Sequence, residues 1–167
     1  MRFSGLNEND FVDSFNNISV SFWTQGCPHR CEGCHNPETW DYDGGYELPS
    51  DYKVKILESL HKNGIERDLS ILGGEPLCDS NLTIVYDLVK YVKENSPLTK
   101  VILWTGYTFE DIIDSEKRYI LDYIDIMIDG KFDIDKHVRG LYLKGSTNQR
   151  VIDVVESLST GKVSIIY

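Results

Sequence analysis

Ile18, Val20 and Phe22 alternate with Ser19, Ser21 and Trp23, and this period of two predicts a strand that runs into the segment after Thr24. Asp41 to Gly45 has turn composition. After Pro49, the apolar positions Val54, Ile56, Leu57 and Leu60 recur at helical spacing, and Asn63-Gly64 closes that helix. Leu69-Ser70-Ile71-Leu72 is a short strand that delivers Gly73-Gly74 into the next turn. From Ser80 onward Leu82, Val85, Leu88, Val89 and Val92 mark a second helix, which Asn95-Ser96-Pro97 stops. Val101 to Trp104 reads as another strand. Thr108, with Asp111 three residues later, has the spacing of a capping box for a third helix whose apolar face is Ile112, Ile113, Ile120 and Leu121. Ile124, Ile126 and Ile128 alternate with Asp125 and Met127 and predict a fourth strand.

Strand, helix, strand, helix, strand, helix, strand implies a parallel sheet with right-handed crossovers, an α/β architecture. The segments after the four strands then gather at the carboxyl edge of the sheet, where such folds bind ligands. Those segments are the loop after Thr24, the Gly73-Gly74 turn, Thr105-Gly106 and Asp129-Gly130. Beyond Lys131 the periodicity fades, and Val151 to Val155 and Val163 to Tyr167 read as edge strands. At 167 residues the chain is expected to form a single domain, 1–167, with an ordinary hydrophobic core.

Seventeen Lys and Arg stand against 27 Asp and Glu, a net charge of −10, so phosphate backbones and anionic lipid surfaces are repelled and no direct nucleic-acid or membrane partner is expected. Asn7, Glu8, Asn9 and Asp10 break any secretory core near the start, and no stretch reaches the length of a membrane span. Clustered thiols without an obvious disulfide plan fit a cytoplasmic protein.

The candidate chemistry lies in Gly26-Cys27-Pro28-His29-Arg30-Cys31-Glu32-Gly33-Cys34, three thiols within eight positions. Thiolates hold iron–sulfur clusters, and three from one loop leave one iron of a 4Fe-4S cubane open to a small molecule. Structural zinc sites are four-coordinate and assemble from paired half-sites, whereas the remaining cysteine, Cys78, stands alone. Cys78 is read either as a small buried hydrophobe or as a fourth ligand that would close the site. Glu75 reads as a brace for its turn. His29, His61 and His137 have no motif partner and read as solvated or hydrogen-bonded surface histidines.

The cysteine spacing resembles the cluster loop of the radical S-adenosylmethionine enzymes. The longer run from Cys27 to Trp40, with His35-Asn36 and Thr39-Trp40, resembles the activating proteins of anaerobic (class III) ribonucleoside-triphosphate reductase. Gly73-Gly74-Glu75-Pro76-Leu77, Trp104-Thr105-Gly106-Tyr107, Asp129-Gly130-Lys131-Phe132 and Gly145-Ser146-Thr147-Asn148-Gln149-Arg150 follow in that family's order, so the resemblance runs from about Val20 to Arg150. Two positions depart from it: His35 stands where a tyrosine is expected, and Lys144 where an arginine is.

The resemblance implies an open, partial (β/α) barrel with a mostly parallel sheet, a 4Fe-4S cluster on Cys27, Cys31 and Cys34, and S-adenosylmethionine contacted by Gly33, Cys34, His35, Gly73 and Gly74. It implies that a donor such as reduced flavodoxin reduces the cluster, that the cofactor is cleaved to methionine and a 5′-deoxyadenosyl radical, and that this radical makes a glycyl radical on the large subunit of the reductase. No side-chain general acid or base is implied, because the cofactor does the hard chemistry. Alternatives are a sibling activase such as that of pyruvate formate-lyase, a deazaguanine-forming enzyme, a non-enzymatic zinc or iron–sulfur module, and an electron-transfer protein whose Cys78 completes the cluster.

Overall fold

The computed structural model describes residues 2–15 and 18–167. Among the described residues, eight strands form one open sheet: β1 (Arg2–Asp10), β2 (Ser19–Thr24), β3 (Tyr46–Glu47), β4 (Asp68–Gly73), β5 (Val101–Trp104), β6 (Ile126–Asp129), β7 (Arg150–Asp153) and β8 (Ser164–Ile165). Four α-helices connect or follow them: α1 (Tyr52–Leu60), α2 (Asp79–Asn95), α3 (Phe109–Ile113) and α4 (Val154–Thr160). Across the sheet the order is β3-β1-β2-β4-β5-β6-β7-β8.

The expected parallel sheet is its centre. β2, β4, β5 and β6 pair in parallel, in chain order, each joined to the next through a helical crossover. On either side the sheet continues in antiparallel pairs, β3-β1-β2 and β6-β7-β8, so the arrangement is mixed and is parallel only in its middle four strands.

Three local expectations change. The third helix is shorter than its apolar pattern suggests: α3 ends at Ile113, and Ser115, whose hydroxyl accepts the Lys117 N–H at 3.1 Å, starts a separate 3-10 segment over Glu116–Tyr123. The capping box is present, with Thr108 and Asp111 each accepting the other's backbone N–H. The segment expected as a strand through Val155 stops at Asp153, whose carboxylate accepts the Glu156 N–H at 2.8 Å and caps α4. The C-terminal strand is only Ser164–Ile165.

β1 carries no apolar alternation and is held by its neighbours. It pairs with β2 along most of its length, with two register shifts, and Phe3 stacks on Phe22 at 5.9 Å. Buried Arg67 performs a similar task from the other side, donating to the carbonyls of Ser59, Lys62 and Ile65 that α1 and its following turn leave open, and to the Asn9 side chain.

The pleat sorts the two faces of the sheet. Val20, Phe22, Leu69, Ile71, Val101, Leu103 and Met127 share one buried cluster with residues from all four helices. Ile102, Ile126, Ile128 and Val151 belong to the opposite face, where Phe15, Trp104, Leu143 and Ile166 pack from loops and strand ends. One face is therefore closed by helices and the other by loops, and the second can hold a ligand. No helix among the described residues is long and apolar enough to cross a membrane.

The turn after β1 carries an unfavourable charge. The Asp10 carboxylate accepts the N–H groups of Val12 and Asp13 and the Ser21 hydroxyl. Burial, with Asp10 next to it, pushes the Asp13 carboxyl from 3.8 up to about 6. A raised folded-state value means that the native state binds this proton more tightly than the unfolded chain. Stability therefore rises as pH falls from about 6 toward 3.8, and at pH 7 ionised Asp13 is a net cost. Asp13→Asn should stabilise the protein at pH 7 by on the order of 1 kcal/mol, the full linkage value being reduced because the group is only partly shielded from water. The gain should shrink by pH 4.5. Urea melts at the two pH values measure this, and equal stability at pH 7 would refute it.

Candidate metal centre

The loop after β2 and the turn after β4 are joined backbone to backbone. Gly26 N–H donates to Thr39 O at 2.8 Å and Cys27 N–H to Trp40 O at 3.2 Å, closing the cysteine loop on the 3-10 turn Pro37–Thr39. Gly74 N–H donates to Thr24 O and Glu75 N–H to Gly26 O, each at 2.9 Å. Glycine is required here by contact: a Cβ on Gly74 would lie 2.4 Å from Gly26 O, and Gly73, at φ +105°, occupies backbone space that L side chains avoid. The Asn81 amide donates to both loops, to Glu75 O at 3.0 Å and to Gly26 O at 3.4 Å.

A cleft of about 640 Å³ opens on the loop-covered face at the carboxyl ends of the central strands. Cys27, Cys31 and Cys34 all line it, as do His35, Gly73 and Gly74, with Trp23, Leu72 and Trp104 along its sheet wall. Cys78 does not line it; this thiol is buried at the start of α2, 3.1 Å from the Ser80 hydroxyl. Of the residues expected at the cofactor, Gly33 alone is not part of the cleft wall: its φ is +71° and a Cβ there would meet Ile134 at 2.7 Å.

Burial raises the Cys27 and Cys31 thiols above their ordinary range, while the N–H groups of His29 and Arg30, directed at Cys27, and of Phe132, directed at Cys31, act the other way. Cys34 Sγ receives the Asn36 N–H at 3.4 Å. Such N–H donors are what a thiolate-bound cluster uses to set ligand orientation and potential. Among the described residues no three His, Cys, Asp or Glu side chains converge on the position of a single metal ion. Three cysteine thiols on one cleft are donors of the type that an iron–sulfur cluster takes.

His29 corrects its reading as a surface histidine. Its side chain is 8% exposed, and Nε2 lies 2.8 Å from Glu75 Oε2. Glu75 is buried and braces its turn as expected, with Oε1 accepting the Leu77 N–H and the Thr105 hydroxyl. It also braces the next strand, since Oε2 accepts the Gly106 N–H at 2.7 Å. His61 pairs with Glu66, and His137 Nδ1 lies 2.7 Å from Gly145 O, so both are hydrogen-bonded as expected.

The far wall comes from two motifs without a chemical rationale in the sequence. Gln149 Oε1 accepts the N–H groups of Gly145 and Ser146, and its Nε2 donates to Gly130 O at 2.9 Å. Asn148 donates to Lys131 O at 2.8 Å. The segment 145–149 thus holds the Gly130-Lys131-Phe132 loop in place. Phe132 in turn packs against His35 at 5.1 Å and His137 at 5.7 Å, and Gly145 leaves the space that the Phe132 ring fills. Trp104 Nε1 donates to Leu143 O at 2.7 Å, fastening the same wall to the sheet.

The fold is an open α/β sheet with three clustered thiols in a cleft beside a diglycine turn. The sequence model of the 4Fe-4S single cluster domain family matches residues 17–152, which takes in the cysteine loop and every motif described above. The chain also belongs to the family of anaerobic ribonucleoside-triphosphate reductase-activating proteins, on both identity and coverage. It is 38% identical over 130 residues to the protein of that name from Vibrio cholerae, covering 77% of this chain and 83% of that one. With the protein from Enterobacteria phage T4 it shares 36% over 151 residues, 90% of this chain and 93% of that one. The Escherichia coli K12 protein is 30% identical over 132 residues, at 78% and 85% coverage.

Proposed function

We propose that this protein activates an anaerobic ribonucleoside-triphosphate reductase by reductive cleavage of S-adenosylmethionine at a 4Fe-4S cluster held by Cys27, Cys31 and Cys34. The observation that carries this is the separation of the thiols: three share one cleft with a diglycine turn, and the fourth, Cys78, lies outside it. Three ligands leave one iron for a substrate. When bound, such a cluster supplies the electron that splits the sulfonium to methionine and a 5′-deoxyadenosyl radical, which takes a Cα hydrogen from a glycine of the reductase.

The chain's own residues place and shield. Gly73 and Gly74 present backbone to the cleft without side chains, which suits the amino group of the nucleoside's methionine portion. His35, exposed and packed on Phe132, is the side chain assigned to the nucleoside in this reading. Trp40 lines the cleft, and among the described residues its buried indole N–H has no hydrogen-bond partner. The helix-free face of the sheet serves as the interior of a partial (β/α) barrel of the radical S-adenosylmethionine type. An external low-potential donor, flavodoxin or similar, supplies the electron. No side chain is assigned as acid or base.

The test is anaerobic reconstitution followed by iron and sulfide counts, then dithionite with S-adenosylmethionine and product analysis. About four irons per chain, 5′-deoxyadenosine, and a glycyl radical by EPR once the reductase is added are expected. A single-ion metal site, or a reduced cluster that leaves the nucleoside intact, refutes the proposal. Radical formation on pyruvate formate-lyase instead of the reductase would assign the chain to the sibling activases.

A further inference from the structure

His29 sits between the first two cysteines and reaches out of their loop. Its Nε2 is 2.8 Å from Glu75 Oε2, and the two side chains are 8% and 1% exposed. The same carboxylate takes the Gly106 N–H at 2.7 Å, the Thr105 hydroxyl at 2.7 Å and the Leu77 N–H at 2.9 Å. Donors from three separate segments, the loop after β2, the turn after β4 and the start of the segment after β5, therefore end on one buried group. The imidazole also fills the space beside Gly106, where a Cβ would meet its Cδ2 at 2.4 Å, and lies edge-on to the Tyr107 ring at 4.8 Å.

The base of the cysteine loop is fixed by the backbone bonds of Gly26 and Cys27. The tip, from Pro28 to Gly33, holds Arg30 at φ 49°, a left-handed conformation that a non-glycine residue rarely adopts without outside support. The His29–Glu75 bond ties that tip to the turn that carries Gly73 and Gly74.

We propose that His29 is a positioning residue. Through Glu75 it sets the spacing between the cysteine loop and the Gly73-Gly74 turn, so that a group held by the cysteines and a ligand held by the turn meet in register. This deepens the function proposed above and rests on it. His29 lines the same cleft as the cysteines, and the role assigned to it is to donate one hydrogen bond to Glu75 from a fixed place.

The experiment compares wild type, His29→Ala and His29→Gln, each reconstituted anaerobically. Gln Nε2 can donate from nearly the place of the imidazole Nε2, whereas Ala cannot. The readouts are iron content, the dissociation constant of S-adenosylmethionine, and the change this ligand causes in the EPR spectrum of the dithionite-reduced cluster. His29→Ala should keep its iron, bind S-adenosylmethionine about 10- to 100-fold more weakly, and lose the ligand-induced spectral change. His29→Gln should return both to within a few-fold of wild type. If His29→Ala binds and responds as wild type does, or if His29→Gln is as impaired as His29→Ala, the positioning role is wrong. Iron loss in His29→Ala also overturns it, since that would place the residue in cluster assembly. Failure of the wild type to bind the nucleoside would overturn the proposed function, a result visible before any variant is made.

Discussion

Cys31→Ala should reduce 5′-deoxyadenosine formation to the uncatalysed background while the chain still folds. Cys31 is a half-exposed residue in a loop that contributes nothing to either hydrophobic cluster of the sheet. Its side chain contributes only a sulfur facing the cleft. With the ligands as proposed, loss of that sulfur leaves two protein ligands for a group that needs three, so cluster content should fall together with cleavage. Cys27→Ala should have the same functional result, with an added packing cost because Cys27 is buried. The necessary contrast is Cys78→Ala. This thiol is buried outside the cleft against Ser80, so its removal should cost about 1 kcal/mol of stability and leave iron content and cleavage unchanged. Full activity in Cys31→Ala would remove Cys31 from the site. Loss of cluster in Cys78→Ala would make Cys78 a fourth ligand, and an open iron would no longer be available. Circular dichroism of each variant separates loss of fold from loss of chemistry.

What the sequence disclosed follows a physical division. β2, β4, β5 and β6 are buried in the middle of the sheet, so their apolar residues recur in patterns that a window of a few residues can capture. β1 was not legible for the opposite reason: Arg2–Asp10 is mostly polar, lies next to the edge, and is held by main-chain pairing to β2 and by Asp10 folding back on Ser21. α3 looked longer than it is because Ile120 and Leu121 are buried whether the backbone is α or 3-10, and burial alone sets the apolar pattern. In the site, the cysteine spacing was visible because its ligands share one loop. The His29–Glu75 bond spans 46 residues and Trp104–Leu143 spans 39, and no local pattern encodes either. A signal for the first did exist, since a histidine inside a cysteine loop and an acid directly after a diglycine turn are both costly to bury unpaired. If the two loops meet at one sheet edge, each is the nearest partner for the other.

Arg150→Ala should be the most destabilising of the single substitutions considered, by about 3 to 5 kcal/mol. Arg150 Nε donates to Asp129 Oδ1 at 3.0 Å and a terminal nitrogen contacts Asp129 Oδ2, while both terminal nitrogens reach Glu110, at 3.0 and 2.6 Å. Hydrogen bonding to Asp129 first, then to Glu110, raises the guanidinium further above its already high range. The bond to Arg150 likewise holds the Glu110 carboxyl below the usual carboxylate range. The two acids differ in what the loss of arginine does to them. Glu110 is half-exposed and can turn to water, whereas the Asp129 side chain is 1% exposed and, among the described residues, would keep the Phe109 N–H at 2.8 Å as its donor. A buried carboxylate stripped of its cation is far more costly than a broken surface pair. Asp129 ends β6 and precedes the Gly130-Lys131-Phe132 wall of the cleft, so the site should loosen with the fold. Thermal melts should show a drop of roughly 10 °C for a chain of this size. Arg150→Lys should fall between, keeping the charge but losing the planar fork. Adding Asp129→Asn to Arg150→Ala should recover part of the loss, because the stranded charge goes with it, and the shortfall from additivity measures the pair directly. A cost below about 1 kcal/mol for Arg150→Ala would show that Asp129 finds water when the arginine leaves, and would reduce this clamp to an ordinary surface ion pair.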